Sequence, residues 1–159
     1  MITDYTSYAS IRAVLGVSVK ELADATLADD LYGFHLSAEL RKFGGTFVAD
    51  FAVAEASTEE ASVNLVEAVW IFSAQAVAVK CLAAMPNIAP KSLTDGKAGF
   101  IRHTDKIYAA AVATMYSELS VARRAVAEAY ATYGGTSAPV TSTSAMAVSS
   151  PTYDPVTGE

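Results

Sequence analysis

The sequence predicts an all-α fold, a small helical bundle, on three observations. Hydrophobic residues make up 52% of the 159 residues and alanine is abundant among them, which favours helix because alanine loses no side-chain entropy in one. Two long stretches, Ser57–Met85 and His103–Tyr133, carry apolar residues with few breaks. The strong breakers gather at a few places: Gly16, Gly44-Gly45, Pro86 to Pro90 and Gly134-Gly135. These observations predict short N-terminal helices, two long helices and an extended C-terminal tail, with the helical body at 1–133 and the tail at 134–159.

Thr6 or Ser7 can cap a first short helix that carries Ile11, Val14 and Leu15 and stops at Gly16. Ser18 and Glu21 stand at capping-box spacing and predict a second short helix with Leu22 and Leu27 as its contacts. A third, over 28–43, places Leu31, Phe34 or His35, Ala38 and Leu40 at helical spacing before Gly44-Gly45 ends it. Residues 46–56 fit neither period, since Phe47, Val48, Phe51 and Val53 alternate irregularly, and they read as a connector. Ser57 and Glu60 repeat the capping-box spacing, and the helix they open runs to Met85, where Pro86 should stop it. Around Trp70 that helix is apolar on nearly every side, the mark of burial on several faces. Lys91 to Arg102 reads as a polar loop or short hairpin. The last helix, 103–133, has a stripe of Ile107, Ala111, Met115, Leu119, Ala122, Val126, Tyr130 and Tyr133, while Ala109 to Ala111 should let a neighbouring helix approach closely.

The tail from Gly134 onward contains no Lys or Arg and is rich in Ser, Thr and Pro. It has too little bulky apolar surface to offset the entropy of ordering it, so a partner is expected to order it. The net charge of −6 offers no broad basic surface for nucleic acid, although an acidic protein can surround DNA without gripping it. The longest apolar run, Ala68 to Val79, is shorter than the roughly 18 residues a membrane span requires and reads as a core helix. No basic and apolar leader opens the chain, so cytoplasmic synthesis without secretion or membrane insertion is expected.

The residues offer little chemistry. Cys81 is the only cysteine and reads as a small core residue. His35 and His103 have no Cys or carboxylate at metal-ligand spacing, and no phosphate-cradling, dinucleotide or nucleophile-elbow motif is present. Asp29-Asp30 and Glu59-Glu60 lie near helix starts, where the helix dipole favours negative charge. No catalytic residue, metal or cofactor is expected. Ile11 to Leu22 has the outline of a helix-turn-helix, but Glu21, Asp24, Asp29 and Asp30 would repel phosphate, which favours a packed αα-corner. Arg123-Arg124 is the only adjacent basic pair; it suits either a solvated face paired with Glu128 or a contact to an acidic neighbouring subunit.

The residues Tyr8-x-x-Ile11-Arg12-x-x-Leu15-Gly16-Val17-Ser18-x-x-Glu21-Leu22 resemble the opening of the head-to-tail adaptor (head-completion or connector) proteins of tailed bacteriophages. Pro90-Lys91-Ser92-Leu93-Thr94-Asp95-Gly96-Lys97-Ala98, between the two long helices, is similar to a segment of the same group, and the tail resembles theirs in position and character. The resemblance implies a structural virion protein of the neck, made in the host cytoplasm. It implies a dodecameric ring beneath the portal protein that supports the tail or nozzle protein and passes DNA through its lumen without reading sequence. The tail would bind the portal through Val140, Met146, Val148 and Tyr153. Lys91, Asp95, Lys97, Arg102, Arg123 and Arg124 would face neighbouring subunits or the tail. A capsid-decorating or other virion-interaction protein, or a small helix-turn-helix regulator, would suit the same residues.

Overall fold

The structure of the chain, a computed structural model, describes residues 1–88, 92–94, 99–101 and 105–135. A 3-10 turn at Ile2–Asp4 leads into α1 (Tyr8–Leu15), α2 (Asp24–Leu27) and α3 (Asp30–Leu40). A second 3-10 turn, Arg41–Phe43, is followed by α4 (Phe47–Glu55) and the two long helices α5 (Glu60–Ile88) and α6 (Asp105–Tyr133). Between these, β1 (Ser92–Thr94) and β2 (Gly99–Ile101) pair antiparallel with Leu93 opposite Phe100. The body is therefore all-α, with one small hairpin where a loop or hairpin was expected.

Helix α5 is the central element, with α1, α3, α4 and α6 all packed on it. Helices as short as α1 to α4 are marginal alone, so their order comes from this packing. Leu65, Val69, Phe72 and Ala76 of α5 and Leu119, Ala122, Val126 and Tyr130 of α6 form buried stripes at three- and four-residue spacing, and the two long helices pack on each other. An aromatic chain ties in the N-terminal half. The Phe43 and Phe47 rings lie 5.0 Å apart, and Phe43 meets the Phe72 ring edge-on at 5.2 Å. Phe47 meets Tyr130 at 4.8 Å. Over Glu60–Leu82 the central helix is long and apolar enough to cross a membrane by length and composition, and more than half of that stretch is buried inside the fold.

Several expectations need correction. Residues 46–56 are not a connector: Phe47, Phe51 and Ala54 are buried at i, i+4 and i+7, a helical period. The exposed Val48 and Val53 obscure that period in the sequence. On α3 the inward face is Leu36, Glu39 and Leu40, whereas Leu31, Phe34 and Ala38 point outward. Apolar residues occur on both sides of this helix, so its periodicity has two solutions, and the one chosen brings Glu39 to α6. Ser18 and Glu21 do meet, the Glu21 carboxylate accepting from the Ser18 N–H at 2.8 Å. They close a single turn, however, and the next helix, Asp24–Leu27, has only four residues.

Helix α5 is not opened by a Ser57–Glu60 box; the Ser57 hydroxyl accepts from the Glu59 N–H at 3.2 Å. Nor does Pro86 stop it, because the helix continues to Ile88. A proline in a last turn forfeits one backbone hydrogen bond without abolishing the turns before it. In α6 the stripe is buried from Leu119 onward, but Ala109 to Ala111 are exposed and no described helix covers them. The predicted helix ends are otherwise observed. Ser7 caps α1 by accepting from the Ser10 N–H at 3.0 Å, Gly16 ends it in the left-handed region at φ 66°, and Gly134 ends α6 at φ 100°.

Candidate interaction surface

Of the residues expected to make contacts, Arg123 and Arg124 belong to the described part of the chain. Lys91, Asp95, Lys97, Arg102, Val140, Met146, Val148 and Tyr153 lie outside the described residues, as do His103 and the rest of the tail. The adjacent arginines have different surroundings. Arg124 is exposed and makes no ion pair among the described residues. Arg123 is turned inward, and its guanidinium donates to Glu39 Oε2 at 2.5 Å across the α3–α6 seam. Glu128 is therefore not its partner. The same guanidinium lies 5.8 Å from the centre of the Phe72 ring, a cation–π contact.

Lys42 donates to the other oxygen of Glu39, also at 2.5 Å. Burial pushes the Glu39 carboxyl up, but the hydrogen bond and charge of Lys42 and the charges of Arg123 and His35 outweigh it, leaving the group below the usual carboxylate range. His35, one turn earlier on α3, is held below the usual imidazole range, chiefly by burial. The charge of Glu39 opposes that shift, Lys80 and Lys42 add to it, and a hydrogen bond to the Ala76 backbone opposes it. This seam is a mixed-charge lock between helices. It contains no nucleophile, and no group of three or more metal-ligating side chains is found among the described residues.

Two further polar contacts fasten the body. Tyr130 is fully buried, donates its hydroxyl to the Asp50 carboxylate and lies 3.2 Å from the Thr46 hydroxyl. Burial, then the bond to Asp50, raises its phenol above the ordinary value. Cys81 is buried beside Tyr32, as expected of a core cysteine. Burial raises the thiol and, together with the charge and hydrogen bond of Cys81, pushes Tyr32 up to about 12.

At the N-terminal corner, Arg12 donates to the Leu22 carbonyl at 3.3 Å and to Asp24 Oδ1 at 2.5 Å. Ile11 and Leu22 are buried, and Tyr8, Leu15 and Val17 pack against the core. The Arg12 guanidinium of this corner is thus engaged within the chain.

Periodicity missed the exposed apolar features. Between α1 and α5 an open groove of about 310 Å³ is lined by Ser10, Ala13, Val14, Trp70, Ile71, Ala74 and Gln75. Trp70 is 40% exposed and Ile71 59%, so the half of α5 that read as buried on all sides presents an apolar face here. The signal was available: a helix apolar all round has more apolar surface than one long helix and three short ones can cover. The side-chain amide oxygen of Gln75 is buried without a hydrogen-bond partner. On α3, Phe34 is 72% exposed. No protein-family model, curated protein or solved structure matches this chain.

Proposed function

We propose that this chain is a structural virion protein that forms a ring between the portal of a phage head and its tail, with DNA passing through the lumen. The observation that carries this reading is the N-terminal corner. The residues by which the chain resembles head-to-tail adaptors include those that build it: Ile11 and Leu22 fill it, Gly16 makes the left-handed turn, Ser18 and Glu21 close the next turn, and Arg12 ties the Leu22 carbonyl to Asp24. The matched pattern is thus a packing pattern, suited to a structural role. A regulator reading DNA is less well served, because Val17 to Ala23 forms a turn where a recognition helix would be needed.

In this reading the helical bodies stand side by side in a dodecameric ring, and residues 136–155 run along the portal protein with Val140, Met146, Val148 and Tyr153 as anchors. Arg124 and the segment 90–102 face neighbouring subunits or the tail or nozzle protein. Engaging many identical tails at once multiplies a modest single-site affinity. A net charge of −6 suits a conduit that DNA must slide through.

Deletion of residues 136–159 tests the reading. The truncated chain should keep its helical circular dichroism and lose co-sedimentation with the portal protein encoded in the same genome. Undiminished portal binding by the truncated chain would refute the proposed role of the tail.

A further inference from the structure

We propose that Gly135 fixes the course on which residues 136–159 leave the helical body, through a contact with the Tyr130 ring that a side chain at 135 would break. The contact and its test concern this chain alone; that the segment so aimed meets the portal protein rests on the reading above.

The two glycines that end α6 are there for different reasons. Gly134 has left-handed backbone, φ 100°, with nothing within 4 Å of where a Cβ would stand. Its N–H donates to the Ala131 carbonyl at 3.2 Å, and the Gly135 N–H donates to the Tyr130 carbonyl at 2.9 Å, the paired bonds that close a helix end on a left-handed residue. Gly135 itself is outside the left-handed region, so its backbone does not call for glycine. Space does. A Cβ added there would overlap Cε2 and Cζ of Tyr130 and stand 2.6 Å from Cδ2. The position after such a turn frequently carries an apolar side chain that packs on the last turn of the helix. Here the ring supplies that packing, and bare backbone meets it.

The ring is not free to yield. Tyr130 is fully buried, its hydroxyl donates to Asp50 and lies 3.2 Å from the Thr46 hydroxyl, and the Phe47 ring meets it edge-on at 4.8 Å. Thr46, Phe47 and Asp50 all stand at the start of α4. The chain just past α6 is therefore registered against a second helix instead of hanging from the end of one. Moving the ring aside for a Cβ would break its bond to Asp50 and disturb a packed core. The chain beyond 135 must swing off the ring instead, and its course is lost.

The test uses the full chain with spin labels introduced by V53C, on the exposed face of α4, and S137C, two residues past the contact; Cys81 is buried, out of the label's reach. Double electron–electron resonance should give one narrow distance distribution, and adding G135A should broaden or shift it. A broad distribution before that substitution, or one that G135A leaves unchanged, would overturn the proposal. Urea unfolding separates the ring contact from a general effect on the helix end. G135A should lower the midpoint in the parent and leave it unchanged where Y130L has removed the ring; an equal fall in both backgrounds would overturn the proposal, and the distance measurement decides by itself if Y130L does not fold. Co-sedimentation with portal protein separates this proposal from the adaptor reading. A narrow distribution that G135A disturbs, in a chain that ignores portal protein, would remove the adaptor reading and leave this exit standing; a broad distribution in a chain that binds portal would do the reverse.

Discussion

Replacing Arg123 with alanine distinguishes an internal lock from a free surface cation. The substitution removes a charge-assisted hydrogen bond to Glu39, worth about 1.5–3 kcal/mol, and a cation–π contact with Phe72 worth about 0.5–1 kcal/mol. Breaking a fully buried ion pair costs about 3–5 kcal/mol. Here the Arg123 side chain keeps 27% of its exposure and Glu39 11%, and Lys42 still holds the second carboxylate oxygen. Solvent screening and that remaining partner reduce the expected loss to about 2 kcal/mol. With a urea dependence of about 2 kcal/mol per molar, the unfolding midpoint should fall by about 1 M. Arg123→Lys should lie between the parent and the alanine variant, because lysine keeps the charge and loses the planar fork. Arg124→Ala should stay within about 0.5 kcal/mol of the parent. Equal midpoints for the two alanine variants would refute the assignment of Arg123 to the interior.

The remaining predictions probe the same packing. Stability to urea should fall in two stages on acidification. His35, lowered in the folded state, is fully favourable only above its ordinary value of about 6.5 and loses its contribution as pH drops below that. Glu39, also lowered, is fully favourable above the ordinary carboxylate range and loses its contribution as pH falls through its folded value. Substituting His35 with glutamine should remove the first stage alone. Phe51→Ala should cost about 3–5 kcal/mol, whereas Val53→Lys, on the exposed face of α4, should cost less than about 0.5 kcal/mol; equal effects in chemical denaturation would mean the helix is out of phase. Gly16→Ala should destabilise by about 1 kcal/mol through its left-handed backbone, with Gly16→Asn closer to the parent. The Cys81 thiol should resist a thiol reagent at pH 8 in the native state and react at once in denaturant; rapid native labelling would contradict its burial.

Helix ends were legible because their signals are local. The Ser7 cap and the glycines at 16 and 134 act through their own backbone, and one sequence window contains each. The α6 stripe was legible because its opposite face is polar enough to leave one solution. Helix α4 was not, because Val48 and Val53 place apolar residues outside the buried set, and only the finished fold decides which valines face water. The same ambiguity reversed α3. Its buried face contains Glu39, a residue that local hydrophobicity assigns to solvent and that Lys42, three residues on, and the distant Arg123, 84 residues on, together make tolerable. Arg123 and Arg124 are indistinguishable in sequence for a related reason: a pair of identical neighbours on a helix points in directions about 100° apart, and the partner lies on another element. The groove and the exposed Phe34 are properties of what other helices fail to cover, which no periodicity records.

Native mass spectrometry of the full-length chain, alone and mixed with the portal protein encoded in the same genome, tests the central claim most directly. The account predicts a complex with one copy of this chain per portal subunit. Portal rings that remain bare, with the chain bound instead to capsid protein or to DNA, would contradict it.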